Sequence, residues 1–172
     1  MTIAGPSIVL RSSSVAETHA IAAAIARLAH PGDLLALAGE MGSGKTAFAQ
    51  GFGAALGVTD PMTSPTFTLV HSYEIGKSHL HHADVYRLER MAEVADLAIS
   101  ELLESDGIVL VEWGDVIATS LGDHLEVRLA WLEPSRPDDR VVTVRAIGRE
   151  WASRWDRLVA ALAPWREEGT AC

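Results

Sequence analysis

Two short runs of the chain are apolar at every position, and both predict strands that are buried on two faces. They are residues 34–38 (Leu-Leu-Ala-Leu-Ala) and residues 108–111 (Ile-Val-Leu-Val). Strands in the middle of a parallel sheet have this pattern, because helices cover both faces of such a sheet. The two runs therefore predict the centre of a parallel sheet.

Other segments predict additional strands beside that centre. A hairpin turn is expected at residues 76–78 and a loop at residues 134–139, each between two extended segments. The segments around the loop alternate between apolar and polar positions, which is typical of antiparallel strands with one solvated face. The additional strands are predicted at residues 7–10, 67–75, 80–86, 125–132 and 140–147.

Helices are predicted between the strands. Ser14 and Glu17 form a capping-box pair at the start of the first helix, and Gly57 ends the second. In the last helix Trp151 and Leu158 recur at helical spacing. The four helices are predicted at residues 15–30, 45–56, 91–103 and 150–163.

This order of elements predicts one α/β domain over residues 1–172. Its mixed sheet should have a parallel core with antiparallel additions, and helices should flank the sheet. A chain of 172 residues has the usual length of a single domain. The tail after residue 164 is expected to be loose.

Charge and cysteine content narrow the class of protein further. The 14 Lys and Arg residues stand against 23 Asp and Glu residues, which gives a net charge of −9. Because affinity for a phosphate backbone needs concentrated Lys and Arg, this chain is not expected to bind nucleic acid alone. The single cysteine, Cys172, leaves no disulfide partner, and no apolar run approaches the length of a membrane span. With no secretory signal pattern at the N-terminus, a soluble cytoplasmic protein is expected.

The segment after the first apolar run fits the Walker A pattern of nucleotide-binding loops. It reads Gly-Glu-Met-Gly-Ser-Gly-Lys-Thr at residues 39–46, between a predicted buried strand and a predicted helix. The glycines let backbone N–H groups converge on phosphate oxygens, and the helix start adds a positive dipole end. The fold is therefore expected to be of the P-loop NTPase type. The predicted nucleotide-binding residues are Gly39, Glu40, Met41, Gly42, Ser43, Gly44, Lys45, Thr46 and Ala47.

The nucleotide is predicted to be ATP, with Mg²⁺. Lys45 would neutralise the β- and γ-phosphates, and the Thr46 hydroxyl would coordinate the metal. A guanine-reading protein needs an Asn/Thr-Lys-x-Asp element, but this chain has no asparagine and its other lysine, Lys77, lies in no such context. A GTPase is therefore not expected, which leaves ATP as the predicted nucleotide.

Two acidic residues and one hydroxyl are candidates for the metal and the attacking water. Glu112 follows the second apolar run, where it would lie at the carboxyl edge of a central strand. Asp84 shares one strand face with His82 and Tyr86, and Thr66 could sense the γ-phosphate. Three alternatives stay open: a solvated carboxylate for Glu112, the polar face of an edge strand for Asp84, and a turn-capping hydroxyl for Thr66.

Three histidines close in sequence do not predict a zinc site. In extended chain His82 points away from His79 and His81, and no cysteine lies near them.

Four motifs occur together and in order along the chain. They are residues 39–46, Ser-Pro-Thr-Phe-Thr-Leu-Val at 64–70, His-x-Asp-x-Tyr-Arg-Leu at 82–88, and Val-Glu-Trp at 111–113. This combination resembles the TsaE (YjeE) family, the small ATPases of bacterial tRNA threonylcarbamoyladenosine synthesis. The resemblance implies a P-loop α/β fold and weak ATP hydrolysis by the isolated protein.

The resemblance also implies partners and residue roles. The partners would be TsaB-like and TsaD-like proteins, which transfer a threonylcarbamoyl group to the adenosine next to the anticodon, so that tRNA is met only through the complex. Hydrolysis would reset that complex between rounds. By the same resemblance Lys45, Asp84, Glu112 and Thr66 are catalytic, and Thr46, Glu112 and Asp84 serve the metal. Asp84 would be an outer-sphere ligand or the water-orienting group, and Trp113 matches the motif tryptophan.

Two other functions compete with this interpretation. One is a small-molecule kinase that uses Asp84 as the base for a substrate hydroxyl. A kinase needs an arginine-bearing lid over the phosphates, and Arg136 and Arg140 lie in a predicted hairpin loop far along the chain. The other is an ATP-binding regulatory module that never hydrolyses its nucleotide.

Overall fold

Seven strands form a single sheet in the computed structural model, which describes residues 4–65, 69–86 and 92–167. The strands are β1 (Ala4–Ser12), β2 (Leu34–Ala38), β3 (Val70–Ile75), β4 (Ser78–Asp84), β5 (Ile108–Glu112), β6 (His124–Glu133) and β7 (Arg136–Ile147). The helices are α1 (Val15–Ala26), α2 (Lys45–Leu56), α3 (Ala92–Glu104) and α4 (Trp155–Leu162). None of the helices in these described ranges is long and apolar enough to cross a membrane.

The sheet has the predicted parallel core and antiparallel additions. Its strand order is β1-β7-β6-β2-β5-β4-β3. The strands β4, β5, β2 and β6 run parallel, whereas β3 and the pair β7 and β1 add antiparallel edges. Because β2 lies between β5 and β6, the loop after β2 emerges at the middle of the carboxyl edge.

Both faces of the central strands are covered, as their unbroken apolar sequence predicts. Leu35 and Leu37 of β2 pack in a core that also contains side chains of α1, α2 and α4. Leu34 and Ala36 pack in a second core with Ile99 of α3 and the segment after β5. The sheet is therefore a middle layer between two groups of helices.

Three predicted boundaries were wrong, each because local hydrogen bonds end or begin an element. Helix α1 stops at Ala26 rather than near residue 30, since the amides of residues 28 and 29 bond three residues back instead of four. Strand β7 begins at Arg136, which pairs with Glu133, so the predicted loop at 134–139 is only a tight turn. The last helix is divided into a 3-10 turn, α4 and a further 3-10 turn.

The start of the predicted loose tail is held on the sheet. Arg166 forms a β-bridge with Leu10, and the Glu167 N–H donates to the carbonyl of Val9 at 3.1 Å. Glu167 also forms an ion pair with Arg11 at 2.7 Å. The prediction of a loose tail was therefore wrong for residues 165–167; residues 168–172 lie outside the described residues.

A second set of contacts fixes the C-terminal segment to the amino end of β2, and we call it the amino-edge cluster (His30, Asp33, Trp151 and Arg154). Arg154 donates to both oxygens of Asp33, at 2.6 and 2.8 Å. The His30 N–H donates to the same carboxylate at 2.6 Å, and the guanidinium lies 4.1 Å from the centre of the Trp151 ring. Both charged side chains are buried, so this cluster joins the last helix to the core.

Candidate functional site

The loop between β2 and α2 has the backbone of a phosphate-binding loop. Gly39 and Gly44 have φ angles of +136° and +107°, a region that favours glycine. A side chain at Gly39 would also collide with the carbonyl of Leu129 on β6. Helix α2 begins at Lys45 directly after Gly44, as predicted, so its free N–H groups face the same space as the loop.

Lys45 lies across the mouth of the loop with its amine fixed in place. Its Nζ donates to the carbonyls of Gly39 at 2.7 Å and Glu40 at 2.9 Å, and lies 3.9 Å from the centre of the Trp113 ring. Burial lowers the pKa of Lys45, while the charges of Glu112, Asp115 and Asp84 act in the opposite direction. A buried cation of this kind is a counter-charge for an anionic ligand.

The two predicted acids lie side by side at the carboxyl edge of the sheet. Asp84 ends β4 and Glu112 ends β5, and the two are partners in the parallel register. Both are buried, with exposed fractions of 5% and 3%. Because β4 lies inside the sheet rather than at its edge, the edge-strand alternative for Asp84 is excluded. Burial likewise excludes a solvated strand-end carboxylate for Glu112.

Glu112 connects three of these elements through one oxygen atom. Thr46 Oγ1 on α2 donates to Glu112 Oε1 at 3.0 Å, across 66 positions of the sequence. His82 Nε2 on β4 lies 2.8 Å from the same Oε1. We call Lys45, Thr46, His82, Asp84 and Glu112 the carboxyl-edge cluster.

Asp84 is oriented by neighbouring donors. Ser64 Oγ donates to its Oδ2 at 3.0 Å, and the Tyr86 N–H donates to its Oδ1 at 2.9 Å. The ring of Tyr86 packs 4.7 Å from that of Trp113, which follows Glu112 with a left-handed φ of +61°. These contacts hold the Asp84 carboxylate at the edge of the site.

A cavity of about 440 Å³ connects the loop with the two carboxylates. Met41, Gly42, Gly44, Lys45, Thr46 and Ala47 line one side of it, and Ser64, Asp84, Tyr86, Glu112 and Trp113 line the other. A second cavity of about 420 Å³ lies beside it, between Trp113 and Trp131. The first cavity thus joins six of the nine predicted nucleotide residues to the predicted metal carboxylates, whereas Gly39, Glu40 and Ser43 line the second cavity.

The oxygen donors in this cavity suit Mg²⁺. Thr46 contributes a hydroxyl, and Glu112 and Asp84 contribute carboxylates, which are the hard oxygen ligands that Mg²⁺ prefers. Within the described residues, no group of three or more His, Cys, Asp or Glu side chains forms a protein-only metal cage. Mg²⁺ in phosphate-transfer sites is held by one or two carboxylates together with the phosphates themselves, so the donor set fits.

Most of the predicted site residues meet in this one place. Residues 39–47, Asp84 and Glu112 lie around the loop as expected, whereas Thr66 lies outside the described residues. His82 was predicted to share a strand face with Asp84 but was given no role in the site, and it lies completely buried against Glu112. Its position could be inferred from the strand alternation that places it on the face of Asp84.

The prediction that Arg136 and Arg140 lie in a hairpin loop was wrong, because both lie in β7. Arg140 lies in β7 and its Nε donates to the carbonyl of Ser43 in the phosphate loop at 2.8 Å. No local sequence signal reveals this contact, because it depends on β7 and β6 lying beside β2 in the sheet.

The three histidines are arranged as the alternation predicts. The rings of His79 and His81 stack at 5.8 Å, whereas His82 points to the other face and Glu112. His81 lies between the hydroxyls of Ser72 and Ser105, at 2.8 and 3.2 Å. These contacts account for His81 and His82 without zinc.

The fold and the loop define a P-loop α/β protein with two carboxylates beside the loop. Comparison with known proteins gives its family. The model of the threonylcarbamoyl adenosine biosynthesis protein TsaE matches residues 12–140. This chain belongs to the TsaE family, whose proteins take part in tRNA threonylcarbamoyladenosine biosynthesis.

Individual relatives match most of the chain. The tRNA threonylcarbamoyladenosine biosynthesis protein TsaE of Bacillus subtilis is 39% identical over 149 residues, covering 86% of this chain and 91% of that protein. TsaE of Treponema pallidum is 34% identical over 113 residues, covering 66% and 83%. The crystal structure of Bacillus subtilis YdiB superposes with a TM-score of 0.76 at 32% identity, covering 93% of this chain and 97% of that one.

Proposed function

We propose that this protein is a Mg²⁺-dependent ATP hydrolase that serves tRNA threonylcarbamoyladenosine formation. One observation carries the proposal: the Thr46 hydroxyl, the Glu112 carboxylate and the Asp84 carboxylate converge beside the phosphate loop. A site for binding alone has no need of two buried carboxylates next to a triphosphate, because they repel its charge. With a metal between them and the phosphates, the same carboxylates become favourable.

Each residue has a defined part in this reaction. Lys45 releases the carbonyls of Gly39 and Glu40 and binds the β- and γ-phosphate oxygens, while the loop N–H groups hold the β-phosphate. Mg²⁺, when bound, neutralises charge on the phosphate oxygens. Asp84 accepts a hydrogen bond from the attacking water and orients it toward the γ-phosphorus. The water oxygen bonds to the γ-phosphorus as the bond to the β,γ-bridging oxygen breaks, ADP leaves with that oxygen, and the protons of the water pass to phosphate oxygens and solvent, which yields ADP and inorganic phosphate.

Glu112 is fixed for its part before any ligand arrives. Thr46 and His82 both bond its Oε1, so the carboxylate cannot rotate away from the loop without losing two contacts. A carboxylate fixed by neighbouring donors coordinates a metal without first having to be ordered. We assign Glu112 to the metal, directly or through a bound water.

The partners in this proposal are TsaB-like and TsaD-like proteins in the cytoplasm, with tRNA reached only through the complex. Two observations support this part: the names of the relatives, and the net charge of −9, which suits a protein that does not itself grip tRNA. An acidic chain is also steered toward basic patches on protein partners. Hydrolysis would drive turnover of the complex.

Phosphate release in the absence of any acceptor tests the proposal against its two rivals. We expect slow release from ATP that stops when Mg²⁺ is removed with a chelator. A kinase would need an added hydroxyl substrate, and a regulatory binder would release no phosphate under any condition. Absence of release with Mg²⁺ and with partners present would contradict the proposed hydrolysis.

A further inference from the structure

The carbonyl oxygens of the phosphate loop are bonded by donors from outside the loop as well as by Lys45. Gly42 and Gly44 are left-handed and Ser43 between them is not, which is the alternation that turns successive N–H groups to one side. The carbonyls of such a turn point the other way and need their own donors. Arg140 supplies them at Ser43 and Gly42, at 2.8 and 3.4 Å.

Arg140 is itself held rigidly at this position. Its NH1 group donates to the carbonyls of Pro137 and Asp139, at 2.5 and 3.0 Å, in the first part of β7, where the pairing with β6 shifts register. All four hydrogen bonds of the guanidinium are to backbone carbonyls, and none of the ion pairs found in the described ranges involves it. The planar guanidinium therefore connects the phosphate loop with the first part of β7, and no carboxylate of the described residues neutralises its positive charge beside the loop.

Trp131 supports the same stretch of loop from the neighbouring strand. It is the register partner of Arg140 across β6 and β7, and its Nε1 donates to the carbonyl of Gly42 at 3.2 Å. The guanidinium of Arg140 lies 5.7 Å from the centre of the Trp131 ring. Two side chains of one hairpin thus bond two consecutive carbonyls of the loop.

We infer that Arg140 is a positioning residue, which holds the carbonyls of Gly42 and Ser43 outward so that the loop N–H groups are preset for phosphate. This inference rests on the proposed nucleotide site. Arg140 acts through the loop backbone and not by contact with the phosphates. Its removal should therefore weaken nucleotide binding and raise KM, with a smaller change in kcat.

The test measures the affinity for ADP, by titration calorimetry on the folded full-length protein, in three arginine variants. Arg140→Ala is expected to raise the dissociation constant about tenfold, because two charge-assisted contacts to the loop are lost. Arg140→Lys keeps the charge but cannot bond both carbonyls as a fork, so at least about a threefold rise should remain. Arg145→Ala, an exposed arginine on the same strand, should change nothing.

Each alternative outcome has a clear meaning. Wild-type ADP affinity in Arg140→Ala, or full recovery in Arg140→Lys, would overturn the inference, and so would an equal loss in Arg145→Ala. The variant Lys45→Ala shows whether only the role of Arg140 is wrong or the proposed nucleotide site itself is wrong. If Lys45→Ala abolishes binding while Arg140→Ala does not affect it, only the positioning role is wrong. If Lys45→Ala also binds normally, the proposed site is wrong and the inference falls with it.

Discussion

Two buried polar clusters lie at opposite ends of the same parallel strands, and they differ in how completely their charges are paired. In the amino-edge cluster, Asp33 meets the guanidinium of Arg154 with two contacts of 2.6 and 2.8 Å and accepts a third bond from a backbone N–H. One cation faces one anion, and two parallel N–H···O bonds join the guanidinium to the carboxylate. The two charges of the amino-edge cluster are therefore paired with each other, and its one buried polar atom without a hydrogen-bond partner among the described residues is the uncharged Trp151 Nε1.

The carboxyl-edge cluster has no such balance. Glu112 and Asp84 are bonded by hydroxyl, imidazole and backbone donors, and the nearby cation, Lys45, is bonded to carbonyls. His82 Nδ1 of this cluster and Ser43 Oγ of the adjoining phosphate loop are buried and have no hydrogen-bond partner among the described residues. Trp151 Nε1 of the amino-edge cluster is also unpaired, so the two clusters differ in the pairing of their charges rather than in the number of unpaired atoms. This difference in charge pairing is what we expect if the amino-edge cluster serves the fold and the carboxyl-edge cluster serves the proposed nucleotide site.

Breaking the amino-edge cluster should have the largest effect, and it should act on stability. Arg154→Ala leaves a buried, unpaired carboxylate at Asp33, which should lower the free energy of unfolding by about 3–5 kcal/mol. Urea denaturation of the variant measures this loss. Arg157→Ala, at an exposed arginine of α4 three residues further on, is the matched control and should stay within about 0.5 kcal/mol. A loss below about 1 kcal/mol in Arg154→Ala would show that the pair is not a structural element of the fold.

Removing the cation of the carboxyl-edge cluster should act on ligand binding instead. Lys45→Ala is expected to weaken ATP affinity at least about 100-fold, because the phosphates lose their fixed counter-charge. Calorimetric titration measures the affinity, and a thermal melt checks that the variant folds. Lys77→Ala is a suitable control, since the only other lysine of the chain is exposed in the β3–β4 turn. If Lys45→Ala and Lys77→Ala bind ATP equally well, the carboxyl-edge cluster is not a nucleotide site.

Neutralising Glu112, the carboxylate that we assign to the metal, should lower the rate of hydrolysis much more than the affinity for nucleotide. Glu112→Gln keeps the shape of the side chain, so nucleotide affinity should change less than about threefold while hydrolysis falls at least about tenfold. Steady-state phosphate release at saturating ATP measures the difference. Glu101→Gln on the exposed face of α3 is the control. Equal losses of binding and turnover in Glu112→Gln would contradict the assignment to the metal.

The smallest effect concerns His81, which belongs to neither cluster. Burial, followed by the charge of His79, lowers the pKa of His81 below its usual value. As the pH falls, the His81 ring is therefore protonated in the unfolded chain before it is protonated in the folded chain. The stability that the neutral ring contributes is fully present above about pH 6.5 and is lost as the pH falls from there toward the folded pKa. His81→Gln should lose less stability than the wild type between about pH 7.5 and 5.5 in urea denaturation. An unchanged pH dependence would show that another group causes it.

The part of the site that is local in sequence was predictable. The strand β2, the loop glycines and the helix α2 follow one another, so the apolar run, the Walker pattern and Gly57 defined them to the residue. Asp84 and Glu112 were also predictable as strand-end acids, because the carboxyl ends of parallel strands meet at one edge.

The contacts that depend on strand order could not be predicted in the same way. Arg140 reaches the loop only because β6 and β7 follow β2 in the sheet, and the residue is 97 positions from Ser43. The bridge from Arg166 to Leu10, which holds the tail, also depends on where β1 lies in the sheet. In both cases the contacting residues are far apart in the sequence.

The central claim is that the protein hydrolyses ATP at the carboxyl-edge cluster and that partner proteins increase the rate of this hydrolysis. The most direct measurement is phosphate release from ATP and Mg²⁺ by the purified protein, alone and with the TsaB-like and TsaD-like proteins of the same cell. The account predicts slow release by the protein alone, a clear rise with the partners, and loss of both in Glu112→Gln. Release that is absent under both conditions, or that persists unchanged in Glu112→Gln, would contradict it.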